Sequence, residues 1–435
     1  MDYPVKRANL IMFAVVLFFY AGLFYLVFTD VFKLDFSSLY TASKALLNGE
    51  NPYQVLYTDY FPTPQKLPAN LNPPIVLSLA SILTLLDYHT AVVVWSLLSF
   101  IMGLIGANFV VRFVFSKLFI QKNRLYLYSI YLLFYPSIMN TVIAQFGAIL
   151  LFLAMLGYYF YLKKADLACA VTWGSLVAIK LFPALLFCLV LVHKRYKLFL
   201  MMAGVFLLLT FLPLCFFGTE LYQQYLSMMS RVLWYGDNWN ASLYGYLFRL
   251  FIDVHNRGQD LLWIEVPYLL LFMTIIAGFI LFLKNKRSTP HFDFALTLMT
   301  MLLLSPFGWF YYFPLLILPL ALSWNLIFSD EKRRVKYEFI WLLALFLLNA
   351  PLGYTTADKL GSVFTKLTLH SLHFYGLLTL ILLFLILSNS NKQKLQRDAS
   401  DNQHPISTAG ILVIYGFSLF ILFIVLVKYV IFKFT

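Results

Sequence analysis

From residue 9 to residue 29 the chain carries no charge, and apolar runs of this kind recur to about residue 430. About 20 apolar residues are what an α-helix needs to cross the hydrocarbon core of a bilayer. Inside that core each segment must satisfy its own backbone hydrogen bonds, so the runs become helices. Charged residues make up 12% of the chain and the mean hydropathy is +0.81, whereas soluble domains carry about 25% charged residues. These features imply an all-α polytopic membrane protein and exclude a soluble one. Many of the 29 tyrosines stand at the ends of apolar runs, as an interfacial belt requires.

The net charge of +13 does not point to nucleic acid. Lys and Arg fall in short clusters between the apolar runs, where they act as topology signals. Lys6 and Arg7 place the N-terminus in the cytoplasm, and no small-residue cleavage pattern follows the first run, so it reads as a retained helix. That helix delivers Asp30 and Asp35 to the outer side. The walk along the chain then gives a first external loop at 30–72 with an interfacial helix, a second at 217–264, and a flexible cytoplasmic linker at 389–407. A last span is expected at about 410–430. About 11–13 transmembrane helices in one integral membrane domain, 1–435, account for the pattern. Two pieces are too short or too interrupted for a simple crossing. Residues 74–87 read as re-entrant or interfacial, and 166–193 as two short helices meeting at Lys180 and Pro183. Cys169, Cys188 and Cys215 lie inside apolar runs, which argues against a disulfide framework or a metal cluster.

Several polar residues stand out against this background. Asp35 precedes an amphipathic stretch, Tyr40 to Leu47, that closes with Asn48-Gly49 and Asn51-Pro52-Tyr53. An interfacial helix there holds the carboxylate near headgroup level, where a general base acting on lipid-linked substrates has to stand. By position alone an acid at the end of a first span is more often structural, and Asp30 fits equally well. Lys180 interrupts an apolar run at an insertion cost of roughly 2.5–3.5 kcal/mol, so it pairs with a phosphate or snorkels to the interface. Arg231 and Arg249 either clamp a phosphate or rim the interface. Asn240 and Ser242 either bind sugar hydroxyls or cap a helix, and Gln145 lies at the tip of an outer hairpin. His370 and His373 have the spacing of a ligand pair, but no acid or cysteine accompanies them and no metal is expected.

Taken together, Asp35-Phe36 with Tyr40, Ala45-Leu46-Leu47, Gly49 and Asn51-Pro52-Tyr53, then Pro73-Pro74 with Trp95, Gln145, Lys180 with Pro183-Ala184, Asn240 with Ser242, and Ser305-Pro306 resemble glycosyltransferase family 87. The chain departs from that family's pattern at Ala144-Gln145-Phe146-Gly147, where Gly-Gln-x-Asn is usual, and at Phe307 to Tyr312, where a histidine is usual. The resemblance implies a GT-C-like bundle and an inverting hexosyltransferase, a mannosyltransferase by default. Its donor is a polyprenyl-phosphate sugar and its acceptor a lipid or glycolipid at the outer face of a bacterial inner membrane. It makes Asp35 the catalytic base and Lys180 a residue near the donor phosphate, with Arg249, Arg231, Gln145, Asn240 and Ser242 as further donor-binding candidates. No cofactor, metal or nucleic-acid partner is implied. The rival class is a lipid or polysaccharide transporter in which Asp35 and Lys180 line a pathway.

Overall fold

The computed structural model describes residues 3–29, 33–253, 261–284 and 289–389, together with Phe420, Phe423, Ile424 and Val427. Asp30, the linker after residue 389 and nearly all of the last expected span lie outside the described residues. Within them the regular structure is helical. Two isolated bridges, Tyr57 with Lys66 and Asn240 with Trp309, are the extent of strand-like pairing.

Helices form where the apolar runs predict them, but their lengths divide into two classes. Among the described residues five are long and apolar enough to cross a membrane: Tyr88–Val114, Tyr196–Phe217, Leu262–Lys284, Phe310–Phe328 and Val363–Ser388. A sixth arises if the bent pair Tyr135–Val142 and Gly147–Leu162 is one span, and five further apolar helices run to only 10–17 residues. These helices make the chain an all-α polytopic membrane protein, as the sequence predicts. A short apolar helix is tolerated where protein, not lipid, surrounds its ends. Lys180, with extended backbone (φ −143°, ψ 128°), ends the Asp166–Ile179 helix, and a 3₁₀ turn at Phe182–Ala184 leads into Leu185–Val192. This is the interruption that Lys180 and Pro183 predict.

The chain forms two compact units. One comprises Met1–Phe24, Ala107–Ile138 and Trp234–Thr435; the other comprises Tyr25–Gly106 and Met139–Leu233. In the second unit the helix carrying Asp35 runs from Leu34 to Leu47, beginning six residues before the amphipathic stretch, and ten of its residues are buried. Protein therefore surrounds a helix that its sequence pattern placed flat in the interface. Ser37 and Tyr88 share a hydrogen bond of 2.5 Å, Tyr40 donates to Leu86 O at 2.8 Å, and the rings of Tyr60 and Tyr88 stack at 4.1 Å. Gly49 closes the helix at φ +74°, with Glu50 N–H donating back to Ala45 O at 2.9 Å. This is the left-handed cap that glycine favours. Ala144 (φ 55°), Lys164 (φ 56°) and Lys194 (φ 57°) make the same kind of turn without glycine.

In the first unit the second long loop is built into the protein instead of hanging from it. Trp239 donates to Leu352 O at 2.8 Å and Asn238 to Gly353 O at 2.7 Å, while Phe310 N–H reaches Trp239 O at 2.8 Å. Buried polar backbone must be paired in this way. Residues 254–260 of that loop lie outside the described residues.

Candidate active site

Asp35, Gln145 and Lys180 come together in the second unit although 145 residues of chain separate the first from the last. Asp35 stands in the first turn of the Leu34–Leu47 helix. It is partly accessible while its neighbours Phe36, Ser37 and Ser38 are buried. Burial raises its carboxyl above the pKa of a free aspartate, and a hydrogen bond from Gln145 and the charge of Lys180 pull it back. Gln145 and Lys180 offset only part of the burial, so the carboxylate remains more basic than one in water, which suits a proton acceptor.

The geometry of Gln145 is set by the break after Tyr135–Val142. Ala144 takes the left-handed conformation, Gln145 N–H donates to Asn140 O at 3.0 Å, and the Trp95 indole donates to Ala144 O at 2.8 Å. Phe146 N–H donates to Gln145 Oε1 at 3.3 Å. With the amide oxygen so engaged, the amide nitrogen is the group left to face Asp35. Trp95 lies between Phe36 (5.9 Å between centroids) and Phe146 (4.9 Å), so an aromatic cluster links the helix of Asp35 to the turn of Gln145.

Lys180 leaves the helix end and donates through Nζ to Asn72 Oδ1 at 2.6 Å, with its ammonium 5.3 Å from the centre of the Phe146 ring. Asn72 is itself fixed. Its N–H donates to Asn70 Oδ1 at 2.7 Å, and its carbonyl accepts from the Tyr53 hydroxyl at 3.0 Å. Tyr53 N–H in turn donates to Asn51 Oδ1 at 2.9 Å. The Asn-Pro-Tyr motif therefore reaches the site through Asn72, a residue that sequence reasoning passed over. The one signal available was its place before Pro73-Pro74.

The remaining candidates lie elsewhere. Arg231 is exposed and donates through Nε to Ser227 O at 2.9 Å. Asn240, Ser242 and Arg249 gather in the first unit, all buried. Asn240 Nδ2 donates to Tyr235 O (2.9 Å) and Pro306 O (2.8 Å), and Ser242 Oγ caps the Leu243–Phe251 helix by accepting from Gly245 N–H at 2.9 Å. Arg249 donates to the carbonyls of Asp237 (2.8 Å), Asn240 (3.2 Å) and Gly236 (3.4 Å). Asp237 accepts from the Tyr354 hydroxyl and, at 2.8 Å, from Ala357 N–H. These bonds brace loops. His373 is buried against Phe310, with 4.4 Å between ring centres, and among the described residues no group of three His, Cys, Asp or Glu side chains is arranged to hold a metal ion.

An all-helical membrane protein with a carboxylate, an amide and an ammonium converging at helix ends is of the class of integral membrane enzymes. Residues 70–306, over half the chain, match the model of glycosyltransferase family 87, and the chain belongs to that family of glycosyltransferases. The matched stretch includes Asn72, Gln145, Lys180, Asn240, Ser242 and Arg249, and Asp35 precedes it. No curated protein and no solved structure matches the chain.

Proposed function

We propose that the protein transfers one hexose, mannose by default, from a polyprenyl-phosphate donor to a lipid or lipid-linked acceptor at the outer face of a bacterial inner membrane, with inversion. Asp35 takes the proton from the acceptor hydroxyl, whose oxygen attacks the anomeric carbon. The bond from that carbon to the phosphate oxygen breaks, and polyprenyl phosphate leaves with the electron pair. Lys180 offsets the charge that develops on the leaving phosphate, a contribution that is often the largest electrostatic one in a transfer of this kind. Gln145 holds Asp35, while Asn240, Ser242 and Arg249 keep the second long loop in shape.

The observation that carries this reading is the partly accessible Asp35 carboxylate, held by Gln145 and faced by Lys180. Purified protein in lipid nanodiscs is incubated with labelled polyprenyl-phosphate hexoses and bacterial lipid extract. Label passes to a lipid product, and Asp35→Asn lowers the rate at least about a hundredfold with membrane insertion intact. Near-normal turnover in that variant sinks the assignment of Asp35. Movement of label across the bilayer without cleavage from the carrier supports a transporter instead.

A further inference from the structure

Asn72 stands in irregular backbone, yet side chains hold both of its main-chain polar groups. Its N–H donates to Asn70 Oδ1 at 2.7 Å, and its carbonyl accepts from the Tyr53 hydroxyl at 3.0 Å. Pro73 follows, and a residue before proline is biased toward extended backbone. What remains for the Asn72 side chain is Lys180, whose Nζ donates to Oδ1 at 2.6 Å.

Tyr53 holds that carbonyl with little freedom of its own. It is 1% exposed, its ring lies 5.2 Å from that of Tyr225 on the Glu220–Met229 helix, and its N–H donates to Asn51 Oδ1 at 2.9 Å. A buried tyrosine usually finds a partner for its hydroxyl. Here the partner belongs to a residue whose own side chain holds an ammonium. The bonds around Arg249 end on main-chain atoms of a loop, whereas this chain of contacts runs from Tyr53 through Asn72 to a charged side chain beside Asp35.

We propose that Tyr53 is a positioning residue for the donor: by fixing the Asn72 carbonyl it sets the Asn72 amide, and with it the place where the Lys180 ammonium meets the donor phosphate. This role rests on the assignment of that phosphate to Lys180. Tyr53 acts through Asn72 and not on the substrate.

The full-length protein in lipid nanodiscs is assayed with labelled polyprenyl-phosphate mannose as donor and bacterial lipid extract as acceptor, and its Kd for polyprenyl phosphate is measured separately. Tyr53→Phe deletes only the hydroxyl and is expected to raise the donor KM and that Kd about three- to tenfold, the effect of one hydrogen bond. In an Asn72→Leu background the same change adds less than about twofold, because the side chain that carries the effect is gone. A merely structural tyrosine costs the same factor in both backgrounds. Tyr225→Leu loosens the packing of the ring, lowers Tm and leaves the donor KM in place. Asn70→Ala frees the other main-chain group of Asn72 and acts like Tyr53→Phe, so the proposal stays open to refutation even if Tyr53→Phe misfolds. An unchanged donor KM in folded Tyr53→Phe, an equal factor in both backgrounds, or a matching rise in Tyr225→Leu overturns it and leaves Asp35 and Lys180 as assigned. A wild type that neither transfers label nor binds polyprenyl phosphate overturns the assignment to Lys180 and this role with it.

Discussion

Lys180 Nζ donates to Asn72 Oδ1 at 2.6 Å, joining the break between two short helices to a loop more than a hundred residues earlier in the chain. The bond fixes where an ammonium stands in an apolar setting. A hydrogen bond to a charged group contributes about 1.5–3 kcal/mol. Asn72→Leu is therefore expected to slow transfer roughly 10- to 100-fold, and Lys180→Gln more severely. Initial rates at varied donor concentration check this, and an Asn72→Leu enzyme at wild-type rate would remove Asn72 from the site.

The pH dependence follows from Asp35. Its carboxyl is raised by burial, so the base becomes protonated, and activity is lost, at a higher pH than the value near 3.9 of a free aspartate implies. Gln145 donates to the charged form and lowers that pKa. Gln145→Leu removes the donor, raises the pKa further and moves the acidic limb of the kcat/KM profile to higher pH. A limb that stays in place or moves down contradicts the assigned hydrogen bond.

In the braced loop, stability and activity should separate. Ser242→Ala removes a helix cap, at a typical cost of about 1 kcal/mol. Arg249→Met removes the guanidinium from the carbonyls of Gly236 and Asn240, each costing about 1–3 kcal/mol when left buried and unpaired, while Asp237 O keeps the Asn240 N–H at 2.9 Å. Thermal unfolding in detergent should show a small drop in Tm for the first variant and a much larger one for the second. The folded fraction of Ser242→Ala retains near-normal turnover.

Gly157→Ala sets two effects against each other. Alanine is favoured over glycine in a helix by about 1 kcal/mol, but a Cβ at this position lies 2.2 Å from Trp173 Cδ1. Trp173 is fully buried and its indole N–H donates to Ala154 O at 3.1 Å, so it cannot withdraw without losing that bond. Overpacking typically costs 1–3 kcal/mol, and the clash decides the sign. A lowered Tm is expected; an unchanged or raised one means that Trp173 moves freely.

Much of the helical layout was legible because an apolar run has few alternatives in a bilayer. Pro183 with Lys180 announced the break in 166–193, and Asn48-Gly49 announced the end of the helix that carries Asp35. The start of that helix at Leu34 was not legible, since Phe36 to Leu39 have no clean amphipathic pattern when the helix is buried on most sides. Asn72 was missed because its role depends on a partner 108 residues away, and no local period records such a contact. For Arg249 the sequence left a phosphate clamp and a place on the interface rim open, because a cation in an external loop normally faces water. The aromatic helix LYGYLFRLF carries it inward, where its guanidinium donates to backbone carbonyls.

The break at Lys180 has one more consequence, which concerns backbone direction. Asp35 sits at the start of its helix and Lys180 at the end of its own. A helix start carries about +0.5 of an elementary charge and a helix end about −0.5, so each side chain meets a peptide dipole of the sign that favours its ionised form. The dipoles act in the same sense as the attraction between the two side chains, by which Lys180 favours the charged form of Asp35. Exchanging them, Asp35→Lys together with Lys180→Asp, would keep their mutual attraction but set each against the wrong end of its helix. The site's polarity is thus built into the direction in which the chain runs as well as into the residues it displays.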